Sequence, residues 1–178
     1  TGGAGANTII GGNGADTITG GSGADTITGG AGADAISSGN NNDVLQYSSG
    51  SELSVDTQVD GGSGTDTVLF TIAGVTDVDD SDFVKVINVE AIVFGNGNNV
   101  ATFGTNAASA VGSLSITGGS GNNTFDVSNL GEAATITVGA GADTIIGGAG
   151  ADSITSGSGN DSISGGADND TLVFGAEL

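Results

Sequence analysis

A nine-residue unit recurs along much of the chain, and it is the feature that most restricts what the chain can fold into. Typical copies are GGNGADTIT at residues 11–19 and GGSGADTIT at residues 20–28. Each copy places glycines in its first half, an aspartate at its sixth position and a branched apolar residue at its eighth. Such a period indicates a solenoid, because a single short unit can bury its apolar residue only by stacking on its neighbours.

The copies form two blocks and one isolated unit. The first block covers residues 2–46, the isolated unit GGSGTDTVL lies at residues 61–69, and the second block covers residues 138–173. Copies near the end of each block depart from the pattern. The fourth position holds Asn41 and Asp168 instead of glycine, and the first position holds Ser38 and Ser156.

The charge of the chain is almost entirely negative. Its 178 residues contain 17 Asp and four Glu against one basic side chain, Lys85, which gives a formal net charge of −20. Carboxylates stacked about 5 Å apart, as on neighbouring strands, repel one another unless a cation lies between them. The 36 glycines are costly to order, and few aromatic residues are available to offset that cost. Both features favour an ordered fold that depends on a bound cation.

The residue types within one unit suit a calcium site. Glycine permits positive φ and close backbone approach, so carbonyl oxygens can converge on one point, and the aspartate adds an anionic oxygen of the kind that calcium prefers. The alternative role of each aspartate is an Asx turn, in which the carboxylate bonds only its own loop. Strand alternation in Thr-Ile-Thr predicts a column of inward side chains at Ile18, Ile27, Ile36, Ile145, Ile154 and Ile163.

The units resemble the nonapeptide G-G-x-G-x-D-x-U-x of the RTX family, secreted bacterial proteins whose repeats bind calcium. The resemblance implies an all-β fold, a parallel β-roll or β-helix solenoid in which two units complete one turn. Alternate units then share an edge, and Ca²⁺ is expected between their aspartates, as between Asp16 and Asp34. The metal ligands implied in this way are Asp16, Asp25, Asp34, Asp43, Asp66, Asp143, Asp152, Asp161 and Asp170.

Three sections are expected along the chain. They are a first RTX β-roll at residues 1–47, an irregular β-helix section at residues 48–137 that contains the isolated repeat at 61–69, and a second RTX β-roll at residues 138–178. The middle section is expected to continue the rolls. Its predicted strands are TVLFTI at 67–72, FVKVINVEAIVF at 83–94, VATF at 100–103 and SLSI at 113–116.

Two segments of the middle section bear on metal binding. The unit GGSGNNTFD at residues 118–126 carries Asn123 where the aspartate belongs, which predicts a repeat that has lost its metal. The acidic run TDVDDSDF at residues 76–83 is interpreted as a solvated loop, with a weak calcium site as the alternative. An EF-hand is disfavoured because Asp82 and Asn88 stand where that motif needs Gly and Glu.

Composition excludes several classes of function. A chain with one basic side chain cannot bind nucleic acid through its phosphates, and no apolar run reaches the roughly 18 residues of a membrane span. Without His, Cys or Arg the usual catalytic triads and phosphate clamps cannot be built. We therefore expect no enzymatic activity in this chain, and we interpret it as a segment of a longer protein.

Low lysine content, abundant Thr, Ser, Ala and Gly, and β-rich segments between the repeats resemble bacterial S-layer proteins of the RTX type, which are exported by type I secretion. This resemblance implies a calcium-binding structural protein at the extracellular bacterial cell surface, whose folding and lattice assembly depend on calcium. Expected partners are calcium ions, further copies of the chain and cell-surface polysaccharide. The alternatives are an RTX adhesin or biofilm-matrix segment, and the calcium-binding tail of a larger type I-secreted enzyme.

Overall fold

Short parallel strands wind into a solenoid along the chain. The computed structural model describes residues 1–111 and 113–175. Within this part of the chain every strand pairing is parallel. Successive strands alternate between two faces, so odd-numbered strands pair with one another and even-numbered strands do the same. The predicted all-β parallel solenoid is therefore confirmed.

One face is a continuous sheet of nine strands and the other is divided into two sheets of four strands. The nine-stranded sheet contains β1 (Thr8–Asn13), β3 (Thr26–Ala31), β5 (Val44–Tyr47), β7 (Thr67–Phe70), β9 (Ala91–Phe94), β11 (Ser115–Thr117), β13 (Thr135–Thr137), β15 (Ser153–Thr155) and β17 (Thr171–Val173). The first four-stranded sheet contains β2 (Thr17–Ser22), β4 (Ala35–Asn40), β6 (Gln58–Asp60) and β8 (Val86–Ile87), and the second contains β10 (Val100–Thr102), β12 (Thr124–Asp126), β14 (Thr144–Ile146) and β16 (Ser162–Ser164).

The length of one turn changes along the solenoid. In the repeat blocks equivalent residues are 18 apart, as for Asp16 and Asp34. In the middle section the separation grows to 22 between Asp34 and Asp56 and to 24 between Asp66 and Glu90. The separation returns to 18 residues between Asp143 and Asp161. The extra residues form helices and loops outside the strands, while the strand register on the nine-stranded face continues without interruption.

Three short helices occupy the middle section: α1 (Gly50–Val55), a 3₁₀ helix (Asp80–Phe83) and α2 (Thr105–Val111). The sequence pattern does not predict these helices. The run at 83–94, expected to be extended, instead leaves the 3₁₀ helix at Phe83, passes through a turn that contains Lys85, and forms the separate strands β8 and β9. In the described residues no helix is long and apolar enough to cross a membrane.

The core is thin in the repeat blocks and thicker in the middle. The predicted column is buried at Ile18, Ile27, Ile36, Ile145 and Ile154, whereas Ile163 is only partly buried. In the middle section Ile92, Ile116 and Ile136 continue the buried column, and aromatic rings are added to it. Phe94 lies between Phe70 and Phe125, with ring centroids 5.0 and 5.1 Å away. Aromatic side chains bury more apolar area than isoleucine, so each middle turn gains more from burial than a turn of the repeat blocks.

Candidate metal sites

The repeat loops turn at their second and fourth positions. Gly21 and Gly23, for example, have φ of 122° and 150°, values that side-chain-bearing residues rarely adopt. The two replacements at the fourth position keep this conformation, with φ of 74° at Asn41 and 67° at Asp168. Asn and Asp tolerate left-handed backbone better than other residues, so these departures preserve the loop.

The repeat aspartates form ladders that run along the two edges of the solenoid. In each pair the backbone N–H of one aspartate donates to Oδ1 of the aspartate one turn later. The distances are 2.8 Å for Asp16 to Asp34, 2.7 Å for Asp25 to Asp43, 3.0 Å for Asp143 to Asp161 and 2.9 Å for Asp152 to Asp170. The structure thus brings together the four aspartate pairs expected from the repeat spacing. The Oδ1 atoms bond a different turn, so an Asx turn does not describe them.

The second carboxylate oxygen is left without a partner in most of these turns. Within residues 1–111 and 113–175, Oδ2 is buried and accepts no hydrogen bond in Asp16, Asp25, Asp34, Asp43, Asp66 and Asp143. An unsatisfied buried acceptor costs about 1–3 kcal/mol, and more when it is charged. A repeated oxygen of this kind is accounted for if a cation binds there.

The remaining ligands must come from the backbone. In the described part of the chain, no three acidic, His or Cys side chains come together around one point. In the turn of Asn123 the carbonyl oxygens four and two residues earlier, at Gly119 and Gly121, face its side chain. Gly21 and Gly23 hold the corresponding positions before Asp25, and we expect their carbonyl oxygens to serve as ligands. A set of one carboxylate and several carbonyls suits Ca²⁺, a hard cation that takes 6–8 oxygen ligands. The residues present therefore fit calcium, which when bound would neutralise the buried carboxylate.

The ladders also contain residues that the repeat pattern did not reveal. Asp34 N–H donates to Oδ1 of Asp56 at 2.9 Å, and Asp66 N–H donates to Oε2 of Glu90 at 2.6 Å. Val75 N–H donates to Oδ1 of Asn99 at 3.0 Å. A weaker signal could have identified two of the three acceptors, because Glu90 and Asn99 each stand two residues before a buried strand centre, as the repeat aspartates do.

The turn at Asp56 carries a proton donor in place of an unpartnered oxygen. The hydroxyl of Tyr47 donates to Oδ2 of Asp56 at 2.8 Å. Burial, together with the Asp56 carboxylate, raises the pKa of Tyr47, so the phenol stays protonated. Burial also raises the pKa of Asp56, although hydrogen bonds from Asp34 and Tyr47 oppose this shift. Tyr47 therefore satisfies the carboxylate at this turn without a metal.

The sites at the end of the second block are more open than the others. Oδ2 of Asp152 accepts a hydrogen bond from its own loop, from Gly148 N–H at 3.1 Å. Asp161 and Asp170 are only partly buried, in contrast to the buried Asp143. These three aspartates keep their place in the ladders. They remain predicted ligands, with more solvent around Asp161 and Asp170.

The acidic segment at residues 76–83 caps helices. Asp80 accepts hydrogen bonds from Gly104 N–H at 2.8 Å and Ala107 N–H at 2.9 Å, at the start of α2. Asp77 accepts from the backbone and hydroxyl of Ser51 in α1, at 3.2 and 2.9 Å. Carboxylates stabilise the first turn of a helix. These contacts give the acidic run a structural role that the solvated-loop interpretation missed.

Acidification is expected to stabilise the calcium-free chain. Burial raises the pKa of Asp66 from 3.8 to about 6 and also raises the pKa of Asp143. The stabilising contribution of such a group is complete below the unfolded pKa of 3.8 and is lost as the pH rises through about 6. In excess chelator, the melting temperature measured by circular dichroism should therefore rise from pH 7 to pH 5. An unchanged or lower melting temperature at pH 5 would contradict this prediction.

In saturating calcium the melting temperature should instead fall from pH 7 to pH 5, because protons compete with the metal for the carboxylates.

A parallel solenoid whose turns present one buried carboxylate and converging carbonyls belongs to the class of calcium-binding β-rolls. The family model described as the RTX calcium-binding nonapeptide repeat (4 copies) matches residues 1–27, 10–45 and 135–176. The chain belongs to this RTX repeat family, and its repeats are calcium-binding motifs. Comparison with curated proteins and with solved structures gave no match.

Proposed function

We propose that the chain is a calcium-folded structural segment of an extracellular bacterial surface-layer protein and that it self-associates into a lattice. RTX repeat proteins are generally secreted, and the repeats of this chain are structural calcium-binding elements. The observation that carries the lattice proposal is an uncharged face that runs the length of the solenoid. This face is the outer surface of the nine-stranded sheet.

The outward side chains of this sheet are all neutral, although the chain carries a formal net charge of −20. At the first strand position they are Thr8, Thr26, Val44, Thr67, Ala91, Ser115, Thr135, Ser153 and Thr171. At the third position they are Ile10, Thr28, Gln46, Leu69, Val93, Thr117, Thr137, Thr155 and Val173. The two four-stranded sheets, by contrast, carry Asp60 and Asp126.

A neutral face matters for assembly because like charges oppose the approach of two copies. Repulsion between net charges of this size acts over about 8–10 Å at physiological ionic strength. Copies that meet through the nine-stranded face place their carboxylate-bearing edges as far from the contact as the solenoid allows. Calcium bound along those edges lowers the remaining repulsion. Self-association should therefore require calcium and use this face.

A charged side chain on the neutral face is expected to prevent assembly. In calcium, Thr137→Asp should abolish the ordered sheets seen by negative-stain electron microscopy, while circular dichroism shows an unchanged fold. Thr19→Asp is the matched control, since Thr19 is also an exposed threonine at the third position of a strand but lies on the other face. Equal assembly of both variants would overturn the proposed face.

Two alternatives make different predictions for the same preparations. Isolated rods in calcium, which bind polysaccharide through the neutral face, would favour an adhesin or biofilm-matrix segment. Hydrolase activity in a longer parent, lost when its other regions are deleted, would make this chain the calcium-binding tail of a secreted enzyme. Catalysis within the chain itself is disfavoured because the sequence contains no His, Cys or Arg.

A further inference from the structure

We propose that Asn99 and Asn123 close two turns of the middle section to calcium, because their side-chain amides take the place of the ion. The part of the middle section that follows the isolated repeat would then keep its fold when calcium is withdrawn, while the repeat blocks lose theirs. This inference concerns individual turns and does not depend on lattice formation.

The first observation is the environment of the Asn123 amide. Its Nδ2 donates to the carbonyl oxygens of Gly119 and Gly121, at 3.0 and 2.9 Å, and lies 3.0 Å from Oδ1 of Asp143. The two carbonyls stand four and two residues before Asn123. The same positions in the aspartate loops hold the carbonyl oxygens that we expect to bind calcium. The amide nitrogen therefore uses the oxygens that a cation would need.

Asn99 repeats this arrangement one turn earlier. Its Nδ2 donates to the carbonyl oxygens of Gly95 and Gly97, at 2.9 and 3.2 Å, and to Oδ1 of Asn123 at 2.8 Å. Both asparagine side chains are buried, with exposed fractions of 0% for Asn99 and 1% for Asn123. Two consecutive turns thus contain the same set of contacts. This repetition indicates that the contacts belong to the structure of the turn and are not peculiar to one side chain.

The comparison with an aspartate loop isolates the chemical difference. Gly97 and Gly121, two residues before the asparagines, have φ of 123° and 115°, and Gly23, the equivalent residue in the loop of Asp25, also has positive φ, at 150°. Asp25 is equally buried, but its Oδ2 accepts no hydrogen bond from the described residues. Replacement of this oxygen by an NH₂ group turns an unpartnered acceptor into a donor. Because the donor bonds the carbonyls directly, the ion and the amide exclude each other.

The rest of the middle section supports folding without metal. Within the described part of the chain, no buried side-chain oxygen between residues 67 and 142 lacks a hydrogen-bond partner, whereas Oδ2 of Asp66, in the isolated repeat of the middle section, does lack one. The packed rings of Phe70, Phe94 and Phe125 fill this region. The two repeat blocks have unpartnered carboxylate oxygens and mainly isoleucine cores. The part of the middle section that follows Asp66 can therefore keep its fold without calcium.

The test is a change of Asn123 to aspartate in the whole chain, with Asn122→Asp as the matched control. Both variants add one negative charge to the same loop, but Asn122 is exposed. By isothermal titration, N123D should bind one calcium ion more than the parent and N122D should bind the same number. By hydrogen–deuterium exchange in chelator, peptides from residues 91–126 should be protected in the parent and N122D and unprotected in N123D. Calcium should restore their protection in N123D.

A reciprocal variant keeps the test decisive if N123D does not fold. Asp143→Asn supplies an amide where Oδ2 is unpartnered, so this variant should bind one calcium ion fewer and protect residues 141–147 in chelator. Unprotected middle peptides in the calcium-free parent would overturn the proposal. It would also be overturned if N123D matched the parent in both stoichiometry and protection, or if D143N gained no protection in chelator.

Discussion

Calcium withdrawal is expected to unfold the two repeat blocks and to remove most of the far-UV β signal that residues 8–47 and 138–173 contribute. In these blocks an aspartate repeats in every unit from Gly11 onward, and Oδ2 is buried and unpartnered in Asp16, Asp25, Asp34, Asp43 and Asp143. Two unit charges 4 Å apart repel by about 1 kcal/mol in water and by about 4 kcal/mol at a protein surface. Without a cation this repulsion accumulates along each ladder.

The expected effect is large because several ions bind only the folded state. With dissociation constants of about 10⁻⁴–10⁻³ M, as in extracellular calcium modules, each site adds about 0.4–1.4 kcal/mol at roughly millimolar calcium. Several such terms reach a few kcal/mol, which is a substantial part of a typical stability of about 5–15 kcal/mol. The transition should therefore be steep in calcium concentration, and the two repeat blocks should be unfolded where free calcium is scarce.

The measurement is circular dichroism in excess chelator, followed by titration with calcium or magnesium at constant ionic strength. Magnesium should restore little β signal at the concentrations at which calcium acts, because Mg²⁺ requires near-ideal octahedral geometry and keeps its water. A chelator-treated chain with the full β signal would contradict a role of calcium in folding. Equal recovery in magnesium would point to charge screening by any divalent cation.

The fold could be predicted where local sequence alone determines it. A unit such as GGSGADTIT specifies its own loop, strand and inward residue, so the register of Ile18 on Ile36 followed from the repeat spacing. The helices α1 and α2 were missed because no repeat marks them. Ser49 caps α1 locally, since its hydroxyl accepts from Glu52 N–H at 3.0 Å. Further contacts come from distant residues, Asp77 to α1 and Asp80 to α2, which the folded solenoid brings to the helices.

The candidate sites were predictable in part for the same reason. Repeat spacing located the aspartates, but their Oδ1 atoms bond backbone N–H groups one turn away, and this contact does not appear in any one unit. Glu90 entered the ladder in a turn of 24 residues, a length that only the inserted segments explain. The difference between Asn123 and an aspartate was visible in the sequence. The hydrogen bonds that the Asn123 amide makes became evident only from the positions of the Gly119 and Gly121 carbonyl oxygens.

Replacement of Asp25 by alanine is expected to raise the calcium concentration needed for folding by roughly two- to fivefold. Oδ1 of Asp25 accepts hydrogen bonds from the backbone N–H of Asn7 at 2.7 Å and from its Nδ2 at 3.0 Å. The variant loses both bonds and the buried Oδ2. A buried polar group left without a partner costs about 1–3 kcal/mol, and the remaining sites can offset this only through a higher calcium concentration.

Two further variants distinguish the effect of losing the ladder contacts from the effect of losing one negative charge. Asp77→Ala removes the same charge and a helix cap worth about 0.5–2 kcal/mol, but Asp77 lies outside the ladders, so the calcium midpoint of β structure should move less. Asp25→Asn keeps Oδ1 as an acceptor and adds an amide at the position of Oδ2. This variant should therefore bind one calcium ion fewer without an increase in the calcium midpoint of β structure.

If Asp25→Ala and Asp77→Ala share one calcium midpoint in circular dichroism titrations, the ladder aspartates do not couple calcium to folding. If Asp25→Asn behaves like Asp25→Ala, the amide does not replace the ion.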